Sequence, residues 1–343
     1  MPAGMAIKTP SAAKVTIQEK AGCAELILVA IPALLVGTVS LLAFLGKWIW
    51  PLDLATSFRP LYAVGLVAAG TTLLLGKWRR LGWAVVIVGL LNLAFVAPLF
   101  WGKQDIPPQS PTMRVISFNV QGQNEQYQQV IDFLRQADAD VIFLHEANRL
   151  WEEAISEAIT EGRFAYHQHR SRPDHLVFST LTLTRVRPLE VTSHGWAESE
   201  ARAMEVVVSL GDTEVTLFGI HPLAPTNPRR TSLRDAQFAF VAKWARGSRG
   251  PTVVTGDFNA TPWSHVFAPL IDAGLRNSQR GYGLAPSFPT NGNFLARVPI
   301  DHLLHSPHLA VADRWLGPDL GSDHLPLVVD LALVSSSQIT SAG

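Results

Sequence analysis

The sequence predicts an α/β domain carried behind three membrane-spanning helices. Three observations lead there. Charge-free apolar stretches are confined to the first 102 residues, single helices alternate with short strands from Met113 onward, and six of those strands begin or end in a polar residue that a core would not want. The chain of 343 residues is 48% hydrophobic and only 16% charged, against roughly 25% charged in an ordinary soluble domain.

The elements follow in chain order. Residues 1–22 read as a cytoplasmic tail and residues 23–102 as a membrane domain. Within the latter no charge falls between Leu26 and Gly46, Pro60 and Gly76, or Leu81 and Gly102. The first and third stretches reach the ~20 residues a helix needs to cross about 30 Å of hydrocarbon. The second is shorter, but Tyr62, Trp78 and Trp83 suit the interfaces. Leu26–Leu45 is too long for a signal-peptide core and no A-x-A site follows it, so it is expected to stay as an anchor. Lys8, Lys14, Lys20, Lys77, Arg79 and Arg80 outnumber Lys47, Arg59 and Lys103 on the other side. The tail and the KWRR link therefore face the cytoplasm, and everything after Lys103 lies outside it. The expected location is the plasma or inner membrane with the second domain extracytoplasmic. Lone Cys23 forms no internal disulfide and says nothing of the redox compartment.

Residues 103–112, KQDIPPQSPT, read as a semi-rigid linker. Residues 113–334 read as one domain, and 335–343 as a frayed tail. The domain holds 19 basic and 24 acidic residues, a formal charge of −5, with Lys243 its only lysine and all eleven histidines of the chain. MRVISFNV (113–120) reads as a strand and Tyr127–Arg135 as a helix with Val130, Phe133 and Leu134 on one face. Asp140–Asn148 starts as a buried strand and turns polar, and Leu150–Ile159 is helical. Strands follow near Leu176–Leu183, Met204–Leu210 and Glu214–Ile220, then a helix at Arg230–Arg246. Strand Thr252–Thr255, helix Trp263–Leu270 and strands Ile300–His305 and Leu325–Leu333 complete the domain. Antiparallel neighbours mixed with single crossover helices favour a layered α/β sandwich over a purely parallel sheet.

The polar strand ends are Asn119 after VISF, Glu146 after VIFLH, His221 after LFGI, Asp257 with Asn259 after VVTG, and Asp323-His324 before LPLVV, while Asp301 opens IDHLL. Singly each has a dull reading: a turn, a helix cap, a loop histidine. Six together, all with metal-ligand or proton-transfer chemistry, mark a site held by rigid strands.

This constellation resembles the endonuclease/exonuclease/phosphatase superfamily of metal-dependent phosphoesterases. The likeness runs from about Met113 to Leu331, in the family's motif order, and is most specific at GDFNATPWS and GSDHLPL. It implies a four-layered α/β sandwich of two packed β-sheets and a Mg²⁺ or Mn²⁺ site that hydrolyses phosphate esters by in-line attack of water. On that likeness Glu146, Asn119 and Asp323 are the expected metal ligands. Asp257 and Asn259 activate and position water, His324 bonds the phosphate with its ring oriented by Asp301, and His221 contacts the scissile phosphate or assists the leaving group. Arg234 and Gln237 in SLRDAQF resemble a pair that supports the site from behind, and read equally as a solvated helix face. Two departures stand out. Gln121 occupies a position where some family nucleases carry a further aspartate, which bears against a two-metal site. Ser179-Thr180 replaces a frequent Ser-Arg. His145, His175, His302 and His305 lie near the motifs and are not assigned to the site, nor are His167, His169 and His194.

The resemblance implies a phosphodiesterase or phosphatase, and the three apolar helices would anchor it in the membrane. The linker of about ten residues spans at most ~35 Å and so holds the site near the bilayer, which makes a phosphoester in a lipid head group or lipid-linked metabolite the expected substrate. An extracytoplasmic nuclease is the alternative, weakened by the domain's acidity, because nucleic-acid binding depends on clustered Lys and Arg. A catalytically dead binding protein should have lost at least one of the six site positions, and none is lost. The sequence says nothing of oligomeric state.

Overall fold

The computed structural model describes residues 26–104, 106, 110–160, 169–171, 179–196 and 199–334. Both expected tails, residues 105 and 107–109 of the linker, Cys23, His167 and His175 lie outside the described residues, as does the side chain of His169. The chain forms two compact units. Among the described residues, one holds Leu26–Leu45 with Phe58–Val96, and the other holds Gly46–Ser57 with the chain from Ala97 to Val334.

In the first unit, Leu26–Leu45, Arg59–Leu75 and Arg79–Val96 are helical. The helices Leu26–Leu45, Trp50–Leu75 and Arg79–Phe100 are long and apolar enough to cross a membrane. Leu28, Val64, Leu75 and Ile87 are exposed, so the unit's exterior is apolar, the reverse of a water-soluble bundle. Inside, Gly70 and Gly82 let the second and third backbones meet closely, as small residues do between membrane helices. One polar relay ties all three helices. Arg59 Nη1 donates to Asn92 Oδ1 at 3.1 Å and Asn92 Nδ2 to Ser40 Oγ at 2.7 Å. The guanidinium lies 4.4 and 4.5 Å from the ring centroids of Phe44 and Phe95.

The second unit is a four-layered sandwich. Its first sheet contains β1 (Thr112–Asn119), β2 (Val141–His145), β3 (His169–Ser171), β4 (Thr180–Thr184), β11 (Leu309–Leu316) and β12 (Leu327–Leu333), in the order β11-β12-β1-β2-β4-β3. The second contains β5 (Glu190–Trp196), β6 (Ser199–Leu210), β7 (Thr213–Ile220), β8 (Thr252–Asp257), β9 (Arg276–Asn277) and β10 (Asp301–His305), in the order β5-β6-β7-β8-β10-β9. Each sheet has one parallel pair near its centre, β1–β2 and β7–β8, and antiparallel neighbours around it. Parallel strands need a crossover: helix α1 (Tyr127–Ala137) joins β1 to β2, and α3 (Pro228–Gly247) joins β7 to β8. Helices α2 (Arg149–Thr160) and α4 (Phe267–Asp272) complete the outer layers.

Strand side chains alternate between faces, and the alternation builds three cores. Met113, Val115, Val141, Phe143, Val215, Leu217, Val253 and Leu303 meet between the sheets. Ile116, Phe118, Ile142 and Leu144 face Val130, Leu134 and Trp151 of α1 and α2. Phe218, Val254 and Leu304 face Phe238, Val241 and Leu270 of α3 and α4.

The block 23–102 expected in the membrane divides differently from that expectation. Gly46–Ser57 packs with the sandwich, because Asp53 finds its counter-charge there. Its carboxylate accepts from Arg234 Nη2 and Ser264 Oγ, both at 2.9 Å, and meets His265 Nδ1 at 3.0 Å. Leu99 is drawn in as well, its carbonyl accepting from Gly281 N and Gly283 N at 2.8 Å each.

Candidate active site

The inward row of each strand that forms the core between the sheets also forms the site. Met113, Val115 and Ser117 lead to Asn119; Val141 and Phe143 to His145; Val215, Leu217 and Gly219 to His221; Val253 and Thr255 to Asp257. Each polar residue continues its strand's apolar series beyond the last core layer. Asp301 starts the inward row of β10, and it pairs directly with Asp257 across the antiparallel ladder. The carboxyl ends of the two parallel pairs thus meet the start of β10 and the Asp323-His324 turn before β12 at one edge of the sandwich. Glu146 is out of this phase. It follows His145 with a positive φ of 58°, a conformation that bulky residues rarely adopt.

Two backbone features close the geometry. Gly256 has φ 151°, and a Cβ there would drive into the carbonyl oxygen of Ile220, so only glycine lets β7 and β8 bring His221 and Asp257 together. Asn259, at φ 49°, folds back so that its N–H donates to Asp257 Oδ1 at 2.9 Å and its Nδ2 to the carbonyl of Pro222 at 3.1 Å.

Asp257 is the hub. Its Oδ2 accepts from Asn119 Nδ2 at 3.1 Å and lies 3.4 Å from His221 Nε2 and 3.5 Å from His324 Nε2. Asn119 Nδ2 also donates to Glu146 Oε1 at 3.0 Å, while its own Oδ1 accepts from Gln121 N at 3.0 Å. In this arrangement Asn119 aligns the two carboxylates. His324 Nδ1 donates to Asp301 Oδ2 at 2.8 Å, and Phe288 covers the ring at 4.7 Å. Burial alone would lower the pKa of His324, but Asp301 and then Asp257 raise it to about 10, so the imidazolium persists at neutral pH. Burial pushes the Asp323 carboxyl up. Its N–H donates to Gln121 Oε1 at 3.2 Å, so Gln121 fixes this turn.

The remaining histidines divide by strand parity. His145 forms the floor, fully buried, with Nε2 3.3 Å from Ser117 Oγ and Nδ1 3.2 Å from Thr180 Oγ1. Burial, and then His221, lower its pKa to about 3 and keep it neutral. Thr180, where a family member often has arginine, is thus spent on this contact. His302 points to the other face of β10, against Phe258 and Phe267, and donates from Nε2 to Ala260 O at 2.9 Å. His305 ends the same strand, away from the site. His194 pairs with Glu205 at 2.6 Å on β6. Arg234 and Gln237 are fully buried. Gln237 accepts from Leu223 N at 3.2 Å and donates to Ser199 Oγ at 2.9 Å, which holds the loop after His221. The floor residues Ser117, His145 and Thr180 were not assigned from sequence, although the phase of β1 and β2 points to the first two.

Ligand atoms of Asp257, Asp301 and His324 lie within 4.8 Å of one another and could hold a cation. His324 already has one nitrogen on Asp301 and the other facing Asp257, and an imidazolium has no lone pair to give. The wider donor set still fits a hard divalent cation. Three carboxylates, Glu146, Asp257 and Asp301, meet around one imidazolium, and Asp301 Oδ1 is buried with no hydrogen-bond partner. The oxygen ligands suit Mg²⁺ or Mn²⁺.

Comparison with known proteins agrees on the fold. The endonuclease/exonuclease/phosphatase family model matches residues 116–324. A truncated TDP2 from Caenorhabditis elegans is 17% identical with a TM-score of 0.53, covering 64% of this chain and 97% of its own. An endonuclease/exonuclease/phosphatase family protein from Bacteroides thetaiotaomicron is 18% identical with a TM-score of 0.53, covering 66% and 100%. D. rerio TDP2, in complex with a single-strand DNA product, is 15% identical with a TM-score of 0.52, covering 64% and 98%. At these identities the likeness shows the fold alone. No curated protein matches the chain. The family match spans well over half the chain, from the third core residue of β1 to the histidine before β12, and the chain belongs to the endonuclease/exonuclease/phosphatase family, whose members are divalent-metal-dependent phosphoesterases.

Proposed function

We propose that the protein is a membrane-anchored, metal-dependent phosphodiesterase or phosphatase whose catalytic domain lies outside the cytoplasm. One observation carries the reading: Asp257 Oδ2 stands within 3.5 Å of an amide and two imidazoles, and next to them Glu146 has oxygens to offer a cation. Glu146, with Asp323 and with Asn119 beside it, would hold Mg²⁺ or Mn²⁺. The bound ion would supply charge stabilisation to the phosphoryl and leaving oxygens. Asp257 accepts the proton of the attacking water, kept in place by the N–H of Asn259. The His324 imidazolium, fixed by Asp301, donates to a phosphoryl oxygen. His221 approaches from the β7 side and bonds the phosphate or the leaving oxygen.

A phosphoester in a lipid head group or lipid-linked metabolite is the substrate class we favour. Tethering raises the effective concentration of membrane substrates and does little for free ones. Gly46–Ser57, which includes the start of the helix Trp50–Leu75, and Ala97–Lys103, which begins within the helix Arg79–Phe100, belong to the same compact unit as the catalytic residues. A nuclease is the second reading, motivated by the single-strand DNA product bound to D. rerio TDP2. The domain's charge of −5 argues against it.

The test is hydrolysis by purified full-length protein across lipid, nucleotide and polynucleotide phosphoesters, with and without Mg²⁺. Metal-dependent cleavage of a membrane-presented lipid phosphoester, lost in Asp257→Asn, is expected. Equal DNA or RNA cleavage by the full chain and a fragment from Pro111, with no lipid phosphoester touched, would give the nuclease reading.

A further inference from the structure

A second charged cavity lies in the sandwich domain, apart from the active site. Its volume is about 200 Å³, and its walls include Lys103, Arg276, Arg280, Tyr282, His305 and Val311, with no acidic residue among the lining. Strand β10 sets the separation: it starts with Asp301 in the active site and ends with His305 in this cavity, roughly 13 Å along the strand. Among the described residues, none of the three cations forms an ion pair, so the lining of this cavity is basic, with Asp313 and Asp330 acting on Tyr282 from outside the lining.

The sheet and the chain leaving the helix shape this cavity, with Arg276 half-buried in its wall and Lys103 and Arg280 exposed at its rim. Arg276 stands on β9, paired to His305. Lys103 Nζ lies 4.2 Å from the Tyr282 ring centroid. The Lys103 backbone packs on Gly281, where φ is 86° and a Cβ would lie 2.7 Å from Lys103 N. The two hydrogen bonds from Gly281 and Gly283 to Leu99 O hold this turn on the chain that leaves the helix Arg79–Phe100. Phe100, at the end of that helix, and Trp101, just after it, are 50% and 68% exposed, as aromatic side chains at a lipid–water interface are.

We propose that this cavity binds the phosphate of an anionic phospholipid head group, as a site separate from the active site. The arginines supply planar forks that match a phosphate, and Tyr282 and Val311 give the glycerol carbons an apolar wall. The position, three residues beyond a helix apolar enough to span a membrane, selects a lipid over a free anion. Basic residues beside membrane helices recognise head groups in this way. The inference rests on the membrane-spanning reading of the apolar helices and not on the hydrolase reaction.

The experiment is a binding titration of the full-length protein in neutral detergent with short-chain phosphatidylglycerol, short-chain phosphatidylcholine and inorganic phosphate, read by native mass spectrometry. Phosphatidylglycerol should bind at least about tenfold more tightly than phosphatidylcholine. Replacing Arg276→Gln and Arg280→Gln together should remove that preference, and Arg276→Lys with Arg280→Lys should keep most of it. The lysine pair separates lost charge from lost packing. Equal affinity for the two lipids would overturn the proposal. So would a preference that survives the glutamine pair, because the lipid would then sit elsewhere, including in the active site. Inorganic phosphate that binds as tightly as phosphatidylglycerol would also overturn it, making the cavity a free-phosphate site. None of these outcomes depends on turnover.

Discussion

The sandwich domain contains two buried clusters made from nearly the same parts, and only one is left with unbalanced charge. Beneath α3, Asp53 and Asp235 meet Arg234 and His265: Arg234 Nη2 donates to both carboxylates at 2.9 Å, and the His265 ring lies between them at 3.0 and 2.9 Å. Burial would lower the His265 pKa, but hydrogen bonds to Asp235 and Asp53 raise it to about 9. Two anions face two cations. At the strand ends, Glu146, Asp257 and Asp301 meet around the rings of His221 and His324, and Asp301 and Asp257 hold the His324 imidazolium charged. A buried anion without a partner is costly. The closed cluster therefore acts as a clamp, whereas the open one is arranged to be completed by something that binds.

Substitutions sharpen that contrast. The largest effect belongs to the open cluster. Glu146→Gln should abolish turnover and Asp257→Asn should lower kcat by at least about 10²-fold, with unchanged circular dichroism. A chelator should silence the wild-type protein, and Mg²⁺ or Mn²⁺ should restore it. Near-normal turnover of Glu146→Gln in saturating Mg²⁺ would remove it from the metal site. The closed cluster should respond in stability instead. Arg234→Met leaves Asp53 with only His265 and Ser264 as partners and should cost up to roughly 3–5 kcal/mol, while Arg234→Met with Asp53→Leu should cost less, because removing both partners is tolerated better than removing one. Thermal unfolding of the three proteins reads this directly.

A smaller effect concerns pH. With a folded pKa of about 9 against an ordinary 6.5, His265 gives its stabilisation in full below about pH 6.5 and loses it as pH rises through about 9. The difference corresponds to about 3.4 kcal/mol without screening, and solvent around the partly exposed ring reduces it to about 2 kcal/mol. His265→Gln should flatten the fall in melting temperature across that window; an unchanged slope would mean that the ring does not carry the charge. The smallest effect is expected for His305→Gln, at the far end of β10, where the distance from the site predicts kcat close to wild type. A loss comparable to that of Asp257→Asn would mean the site has been placed at the wrong end of the strand.

The central strands could be read from the sequence, and the edges could not. VISFN, VIFLH, LFGIH and VVTGD are buried on both faces, so their apolar runs are continuous and their polar ends conspicuous. The strands not anticipated include β5, β9 and β11, which are sheet edges. β5 alternates between half-buried and exposed residues, β9 has two residues, and β11 is broken by a bulge between Val311 and Asp313. Each gives a periodic signal too weak to separate from loop. The candidate site residues, which the structure brings together, stand out in the sequence because they lie at strand ends. The clamp was not, since Asp53 and Arg234 are 181 positions apart, and a single aspartate between two apolar stretches reads only as loop polarity. Parity could have identified His145, one residue before Glu146 and in phase with Phe143. The positive φ that turns Glu146 to the site has no such signature.

Strand β1 pairs with β12, Thr112 opposite Ala332, and Ser322 Oγ donates to the Asn119 carbonyl at 2.7 Å. On a ribosome, this pairing sets a schedule. When Asn119, Glu146 and His221 have been made, neither Asp301 nor His324 exists, and β1 still lacks its neighbour. The proposed constellation is complete only after more than two hundred further residues have followed β1, so the site comes together late in the chain's own synthesis.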